Sequence, residues 1–439
     1  MSFKAKTESR LPGSSAPLDQ LGLKIALGME KYPSDRMLML YGPPGSGKST
    51  LMYLLIGQYV KNGDNVWLVD QERAIDNVYL ASYIPNLDGD KEELLAFQHG
   101  LKEAEARVKK EDKLKDSERT MTDENLEKLK KRVELLKKIL SKKNPEDADE
   151  IPQRTRRSLL LTCRADYRVR NIRIVSFDTI EEFEKEVTKN VKERLANPEE
   201  NKKRLLIGVD SINYLLPKEV LERESCSEGS NFVVAKYLHT LLPKFITKVA
   251  GTETSILFIH QETKHIKMNF WEQSNPIDDV ATKGGSAAKF GATLMIGVTK
   301  KKKVKGMNEK EYDSGVINIP KMKLRGGSKG TFKGVFFLKE GVEKSVMDFN
   351  EPFIITALEE SSFGIEKVRG KFFVPLKLVK DHPEFDTIIK PKLKPLPKDE
   401  SDNPELYYQD DEEQLVEILC TSPAFEEECL NFYEIPEDV

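Results

Sequence analysis

Leu38-Met39-Leu40-Tyr41-Gly42-Pro43-Pro44-Gly45-Ser46-Gly47-Lys48-Ser49-Thr50, running on into Leu51-Met52-Tyr53-Leu54-Leu55-Ile56, decides the fold. It reads as an apolar strand, a glycine-rich loop and an apolar helix, and it fits G-x-x-x-x-G-K-[ST] with the right flanks on both sides. Such a loop wraps phosphates with backbone N–H groups, so a Cβ at Gly42, Gly45 or Gly47 is expected to crowd the ligand. The helix N-terminus adds positive potential where the anion sits. Lys48 is placed to reach the β/γ-phosphates and the Ser49 hydroxyl to ligate Mg²⁺. The predicted phosphate cradle is Gly42, Pro43, Pro44, Gly45, Ser46, Gly47, Lys48, Ser49 and Thr50, and the ligand class is a nucleoside triphosphate.

Outward from the loop, Val66-Trp67-Leu68-Val69 is a buried strand of the parallel type that ends at Asp70-Gln71-Glu72. Carboxyl ends of strands face the ligand in open α/β sheets. Glu72 is expected near the γ-phosphate if this strand neighbours the first, where it would polarise water. Position alone leaves a solvated loop glutamate equally open. Leu205 to Ser211 is a further buried strand ending in an acid, Asp210, the shape of a second nucleotide motif in which the acid holds the Mg²⁺ shell. Ser255 to Ile259 is another, ending at His260-Gln261. Gln261 is a candidate γ-phosphate sensor, and His260 reads as a packed histidine. Ile172 to Phe177 is a strand, and Asp178 with Glu181 looks like a capping box for the helix behind it.

Between these strands the character changes. Leu94, Phe97, Leu101, Ala104 and Val108 step by three and four, as do Leu126, Leu129, Val133, Leu136 and Leu140. With Thr122 as cap, they predict an antiparallel helical hairpin, a structural or partner-docking arm. Arg154, Arg156, Arg157, Arg164, Arg168 and Arg170 either track phosphate or form a solvated face. Glu262 to Lys283 mixes Lys264, His265 and Lys267 with Met268, Phe270 and Trp271. That mixture suits base stacking with phosphate neutralisation, or a loop folded over a small core. Lys300 to Lys303 are four consecutive lysines, by default a solvated edge. The final stretch from Asp399 has 15 acids and no lysine or arginine, and is expected to be a mostly disordered acidic tail.

Length bounds the rest: 439 residues suffice for one large core plus accessories, and 33% charged residues at a net charge of −3 imply solvated arms of both signs. Cys163, Cys226, Cys420 and Cys429 show no C-x-x-C spacing, which argues against a disulfide framework or a zinc motif. Neither a signal core nor an apolar run of bilayer length is present, so a cytoplasmic protein with no membrane partner is expected.

The ordered motifs resemble those of the RecA-type DNA strand-exchange recombinases, including those encoded by large phages. Tyr41 to Thr50 looks like the family's phosphate loop. Asp70-Gln71-Glu72-Arg73-Ala74-Ile75-Asp76-Asn77-Val78-Tyr79 is similar to its D-x-E-x-A-x-D-x-x-Y stretch. There the glutamate activates water and the aspartate and tyrosine hold adenine, which points to Asp76 and Tyr79. Val209-Asp210-Ser211 with Leu216-Pro217-Lys218-Glu219 looks like the magnesium strand and its following turn. Gln261 matches the glutamine that couples γ-phosphate to a DNA loop. Asn275-Pro276 with Gly284-Gly285-Ser286-Ala287-Ala288-Lys289-Phe290 resembles the end of the second DNA loop. Lys321 and Lys323 match lysines that reach the neighbouring subunit's ATP.

The resemblance implies a DNA-binding set of Lys236, Lys264, Lys267, Met268, Phe270, Trp271, Lys283, Gly284 and Gly285, with Glu222 to Phe232 as the first DNA loop. It also implies ATP and Mg²⁺ as cofactors, single- and double-stranded DNA as partners, self-association into a helical filament, and a bacterial or phage-infected host cell.

The expected fold is α/β, a RecA-like P-loop core with a mostly parallel central sheet. The expected division is an N-terminal segment 1–33, a core 34–330 carrying the hairpin at about 88–160, a small α+β subdomain 331–397 and the tail 398–439. The hairpin departs from the family pattern, and so does the short polar lead-in. A hexameric motor or helicase on the same core is the alternative, and a non-catalytic ATP-binding assembly protein a third reading.

Overall fold

The computed structural model describes residues 16–114, 120–141, 151–197, 199, 202–222, 230–264, 280–282, 292–322, 334–340, 345–360, 362–368, 371–394, 406–409, 411–433 and 435. The chain divides into two compact units. One comprises Met1–Arg73, Ile174–Glu340 and Ser345–Val439, and the other Ala74–Arg173 with Gly341–Lys344.

The first unit is built on a sheet whose main run of strands, in chain order, is β1 Met37–Gly42, β2 Asn65–Asp70, β3 Ile172–Val175, β4 Leu205–Asp210, β5 Thr254–Lys264, β6 Leu294–Lys300, β7 Glu311–Met322, β8 Gly334–Glu340 and β9 Ser345–Asp348, with the short strands Val280–Thr282 and Val304–Lys305 paired to β5 and β7. Their spatial order is β9-β8-β7-β6-β1-β5-β4-β2-β3. β6, β1, β5, β4 and β2 are mutually parallel, whereas β7, β8 and β9 extend the sheet antiparallel. Every residue of β1 and β4 is buried. Strands covered on both faces read as unbroken apolar runs, which is why these two are visible in the sequence.

The order corrects one premise. β2 does not neighbour β1, because β5 and β4 lie between them. The two nearly identical apolar runs carry no information about which pairs with which.

The helix Ile180–Ala196 begins at Thr179, whose hydroxyl accepts the Glu182 N–H. The Asp178 N–H in turn donates to Glu182. The cap thus sits one residue beyond the predicted Asp178 and Glu181, and Glu181 instead accepts from the Lys218 N–H.

The C-terminal portion differs more. β8 and β9 belong to the central sheet, so the expected boundary at 331 is too early. The acidic stretch is not disordered throughout. Leu406–Gln409 is an inner strand of a four-stranded sheet, between Lys371–Pro375 and Leu393–Lys394. Glu412–Thr421 and Pro423–Phe432 are helices. Leu415, Ile418, Leu419, Phe425 and Cys429 join Leu21 and Ile25 of the helix Leu21–Leu27 and Phe353, Ile354 and Phe372 in one core. Net charge misled here: the acids occupy the outer faces while apolar residues at helical spacing supply the buried seam. Phe425 is fully buried, so Phe425→Ala is expected to destabilise the protein by about 3–5 kcal/mol. A urea titration reads this as a lower midpoint, and an unchanged midpoint would contradict the packing.

The second unit contains more than the expected hairpin. Helices Glu92–Glu111, Asp123–Leu140 and Gln153–Arg168 pack around Phe97, Leu136, Ile139 and Cys163. Thr122 caps the second helix as anticipated, accepting from the Asn125 N–H. The basic stretch forms the third helix. Arg156 pairs with Glu93, while Arg164 and Arg168 pair with Glu92, which is buried. A carboxylate is held at that depth only with such partners. These arginines are committed within the unit.

Candidate nucleotide site

The glycine loop leaves β1 at Gly42 and enters the helix Lys48–Lys61, whose N-cap is Gly47 at φ 97°. Gly47 needs glycine for that backbone angle. At Gly42 the constraint is a neighbour: an added Cβ would lie 2.1 Å from the Val298 carbonyl oxygen of β6. At Gly45 a Cβ would meet nothing within 4 Å, although its φ is 70°. The glycines are thus dictated by backbone conformation and by an adjacent strand, rather than by crowding of a ligand alone. The Ser46 hydroxyl is buried within this loop without a hydrogen-bond partner, as expected of a cradle whose polar groups are meant for a ligand.

Lys48 is buried and donates to the Gly42 carbonyl at 3.0 Å and the Pro43 carbonyl at 2.7 Å. Its ammonium is thereby held at the mouth of the loop. Ser49 donates to Asp210 Oδ2 at 2.6 Å, which joins the helix N-terminus to the end of β4. Burial pushes the Asp210 carboxyl up to about 6, the negative Glu72 and Asp70 push the same way, and the Ser49 hydrogen bond and Lys48 oppose. The Ser49 hydroxyl and the Asp210 carboxylate are two hard oxygens amid mutually repelling carboxylates, a donor set that fits a Mg²⁺ taking most of its shell from other ligands. Among the described residues, no three His, Cys, Asp or Glu side chains form a metal cage by themselves.

The Asp210 shift has a testable sign. An acid whose folded pKa exceeds its unfolded one weakens the fold once ionised. The loss begins as pH rises past about 4 and is complete above about 6. Asp210→Asn keeps an acceptor for Ser49 and removes the charge. It is expected to raise ligand-free stability near neutral pH by about 2–3 kcal/mol. Denaturation at a series of pH values should show the gain vanish below about pH 4.

Glu72 follows β2, and Gln261 lies on β5 in register with Gly42. Gln261 Nε2 donates to Glu72 Oε1 at 2.8 Å. Glu72 therefore reaches the strand beside β1 although its own strand does not. Its own N–H and that of Gln71 both donate to the Asp210 carbonyl oxygen, at 3.3 and 2.8 Å. His260 is fully buried with Nδ1 3.0 Å from the Gln261 carbonyl, a packed histidine as read.

Asp76 and Tyr79 belong to the second unit. Asp76 caps the helix Asn77–Ala81, accepting from the Val78 and Tyr79 N–H groups, and Tyr79 packs edge-on to Tyr83 with ring centroids 5.7 Å apart. Lys236 is exposed on the helix Ser230–Val249. Lys264 and Lys321 stand on β5 and β7, with only their backbones described. Lys267, Met268, Phe270, Trp271, Lys283, Gly284, Gly285 and Lys323 lie outside the described residues, as does most of the expected first loop. Two residues escaped the sequence reading. Gln71 and Asn213 make site hydrogen bonds, and their only advance signal was an amide side chain just past a strand end.

The topology and the loop together define an α/β core with a glycine-rich loop between a central parallel strand and the helix that follows it. Residues 5–117 match the RecA N-terminal domain. The chain is 42% identical over 72 residues to Protein RecA of Xanthomonas euvesicatoria pv. vesicatoria (strain 85-10), covering 16% of this chain and 21% of that one. It is 37% identical over 100 residues to Protein RecA of Enterococcus mundtii, covering 22% and 28%. With Protein RecA of Bacillus licheniformis it shares 35% over 88 residues, covering 20% and 25%. The matches thus span about a quarter of the length of these curated relatives. Among solved structures the chain is similar to an ATPase domain, with a TM-score of 0.41 at 10% identity, covering 75% of this chain and 90% of that one. The resemblance read from Tyr41–Thr50 and Asp70–Tyr79 is borne out over the matched residues, which are similar to the RecA N-terminal domain. No helix among the described residues is long and apolar enough to cross a membrane.

Proposed function

We propose that the chain is a DNA-dependent ATPase that assembles on single-stranded DNA and promotes homologous pairing and strand exchange. The observation that carries this reading is a set of short links at the carboxyl ends of β1, β4, β2 and β5: Lys48 is held on the loop carbonyls of Gly42 and Pro43, Ser49 donates to Asp210, Gln261 donates to Glu72, and the Glu72 N–H donates to the Asp210 carbonyl. The match of residues 5–117 to the RecA N-terminal domain supports it.

In this reading the loop amides and Lys48 hold the triphosphate, and Ser49 and Asp210 hold Mg²⁺, which when bound neutralises phosphate charge. Glu72 accepts the proton of the attacking water. Gln261 bonds to Glu72 and continues directly into the segment from Glu262, so the state of the carboxylate is coupled to the proposed DNA-gripping residues Lys264, Lys267, Met268, Phe270, Trp271, Lys283, Gly284 and Gly285, with Lys236 behind the first loop. Lys321 and Lys323 complete the site of an adjacent copy in a filament. ATP and DNA then favour the same assembled state, and each strengthens binding of the other.

The test is ATP hydrolysis with and without single-stranded DNA, joined to negative-stain imaging with an ATP analogue. Stimulated hydrolysis and helical filaments are expected. Closed rings that unwind duplex would replace the recombinase reading with the motor, and absence of turnover would remove both.

A further inference from the structure

Glu72 and Gln261 meet across a strand that separates their own. β4 lies between β2 and β5, and it ends at Asp210. Beyond that residue the ladder has run out, and backbone groups on either side need other partners. Two amide side chains supply them. Asn213, in the turn Ile212–Tyr214 that follows β4, accepts the Gln261 N–H on its Oδ1 at 3.3 Å. Gln71 imitates a peptide unit toward Phe177, the second residue after β3. Its Nε2 donates to the Phe177 carbonyl at 3.0 Å, and its Oε1 accepts the Phe177 N–H at 3.4 Å. The Gln71 N–H meanwhile goes to the Asp210 carbonyl. Residue 71 is thus fastened on both flanks, by its backbone to β4 and by its side chain to the segment after β3. The chain then turns at Arg73, which adopts φ 53°. Glu72, between the fastened residue and the turn, has little freedom left to point elsewhere.

We propose that Gln71 and Asn213 are positioning residues that hold the Glu72–Gln261 pair in place over the end of β4. Gln71 sets the direction of the carboxylate, and Asn213 sets the height of the glutamine on its strand. Neither carries charge, and neither is hydrogen-bonded to Lys48 or Ser49. Their effect is on hydrolysis rather than on nucleotide capture. The proposal rests on the ATPase reading above.

The experiment compares wild type, Gln71→Met, Asn213→Ala, Glu72→Gln and the double variant Gln71→Met/Glu72→Gln, measuring kcat and KM for ATP with single-stranded DNA. Each positioning variant is expected to lower kcat about 10-fold and leave KM within about twofold. On the Glu72→Gln background, Gln71→Met should cost less than about twofold more, because a residue acting through Glu72 has nothing further to lose. Full activity in Gln71→Met and Asn213→Ala, with Glu72→Gln impaired, overturns the positioning role and leaves the ATPase reading standing. Equal losses of Gln71→Met on both backgrounds, with weakened nucleotide binding, also overturn it, since they mark a merely structural role. A wild type without turnover removes the ATPase reading and the positioning role together.

Discussion

Lys48→Ala is expected to abolish ATP hydrolysis stimulated by single-stranded DNA, a loss of about 10²-fold or more in kcat/KM. The side chain is buried at the loop mouth and donates to the Gly42 and Pro43 carbonyls. Alanine removes a full positive charge from the site proposed to hold several negative phosphate oxygens. It also strands two carbonyls that the ammonium now satisfies. Nucleotide binding should weaken alongside, because Lys48 acts on the ground state as well as on the developing charge. A fluorescent-nucleotide titration paired with a steady-state ATPase assay measures both. An alanine variant that hydrolysed ATP at the wild-type rate would displace the loop from the centre of the chemistry.

Glu72→Gln is expected to separate binding from turnover. Glutamine has the same shape and keeps an acceptor for Gln261 Nε2, so the contact now at 2.8 Å survives. What is lost is the basic oxygen, which for a general base is worth about 10²–10⁴ in rate. Nucleotide affinity should change little. The same substitution removes one of the like charges that help hold the Asp210 carboxyl up to about 6, and Asp210 should titrate lower as a result. Single-turnover hydrolysis and equilibrium nucleotide binding test the two halves, and a variant that turns over normally would return Glu72 to a solvated loop residue.

Much of the site was legible in the sequence. The loop and its lysine, the acid at the end of Leu205–Asp210 and the glutamine after Ile259 all sit at boundaries between an apolar run and a polar turn. A buried parallel strand makes such boundaries visible. Glu72 was half legible. Its position after a strand was clear, but its reach to Gln261 depends on a strand order that pairwise-similar apolar runs do not encode. The acidic C-terminal stretch was misread for a different reason. Composition weighs every residue equally, whereas a fold needs only Leu415, Ile418, Leu419, Phe425 and Cys429 on one side to bury a seam. The basic stretch around Arg156 to Arg168 shows the converse, since its charges find partners on Glu92 and Glu93 that lie far away in sequence.

The sequence by itself determined the candidate groups of the proposed site: a glycine-rich loop, a lysine, a hydroxyl and an acid at a strand end, because local spacing and strand-end position suffice to specify them. Only the tertiary structure decided how those groups meet. β5 and β4 stand between β1 and β2, and Gln71 and Asn213 bridge the gap where β4 ends. The reason is physical: the order of strands and the partners of their last backbone groups arise from long-range packing, and that information is not carried by any short stretch of chain.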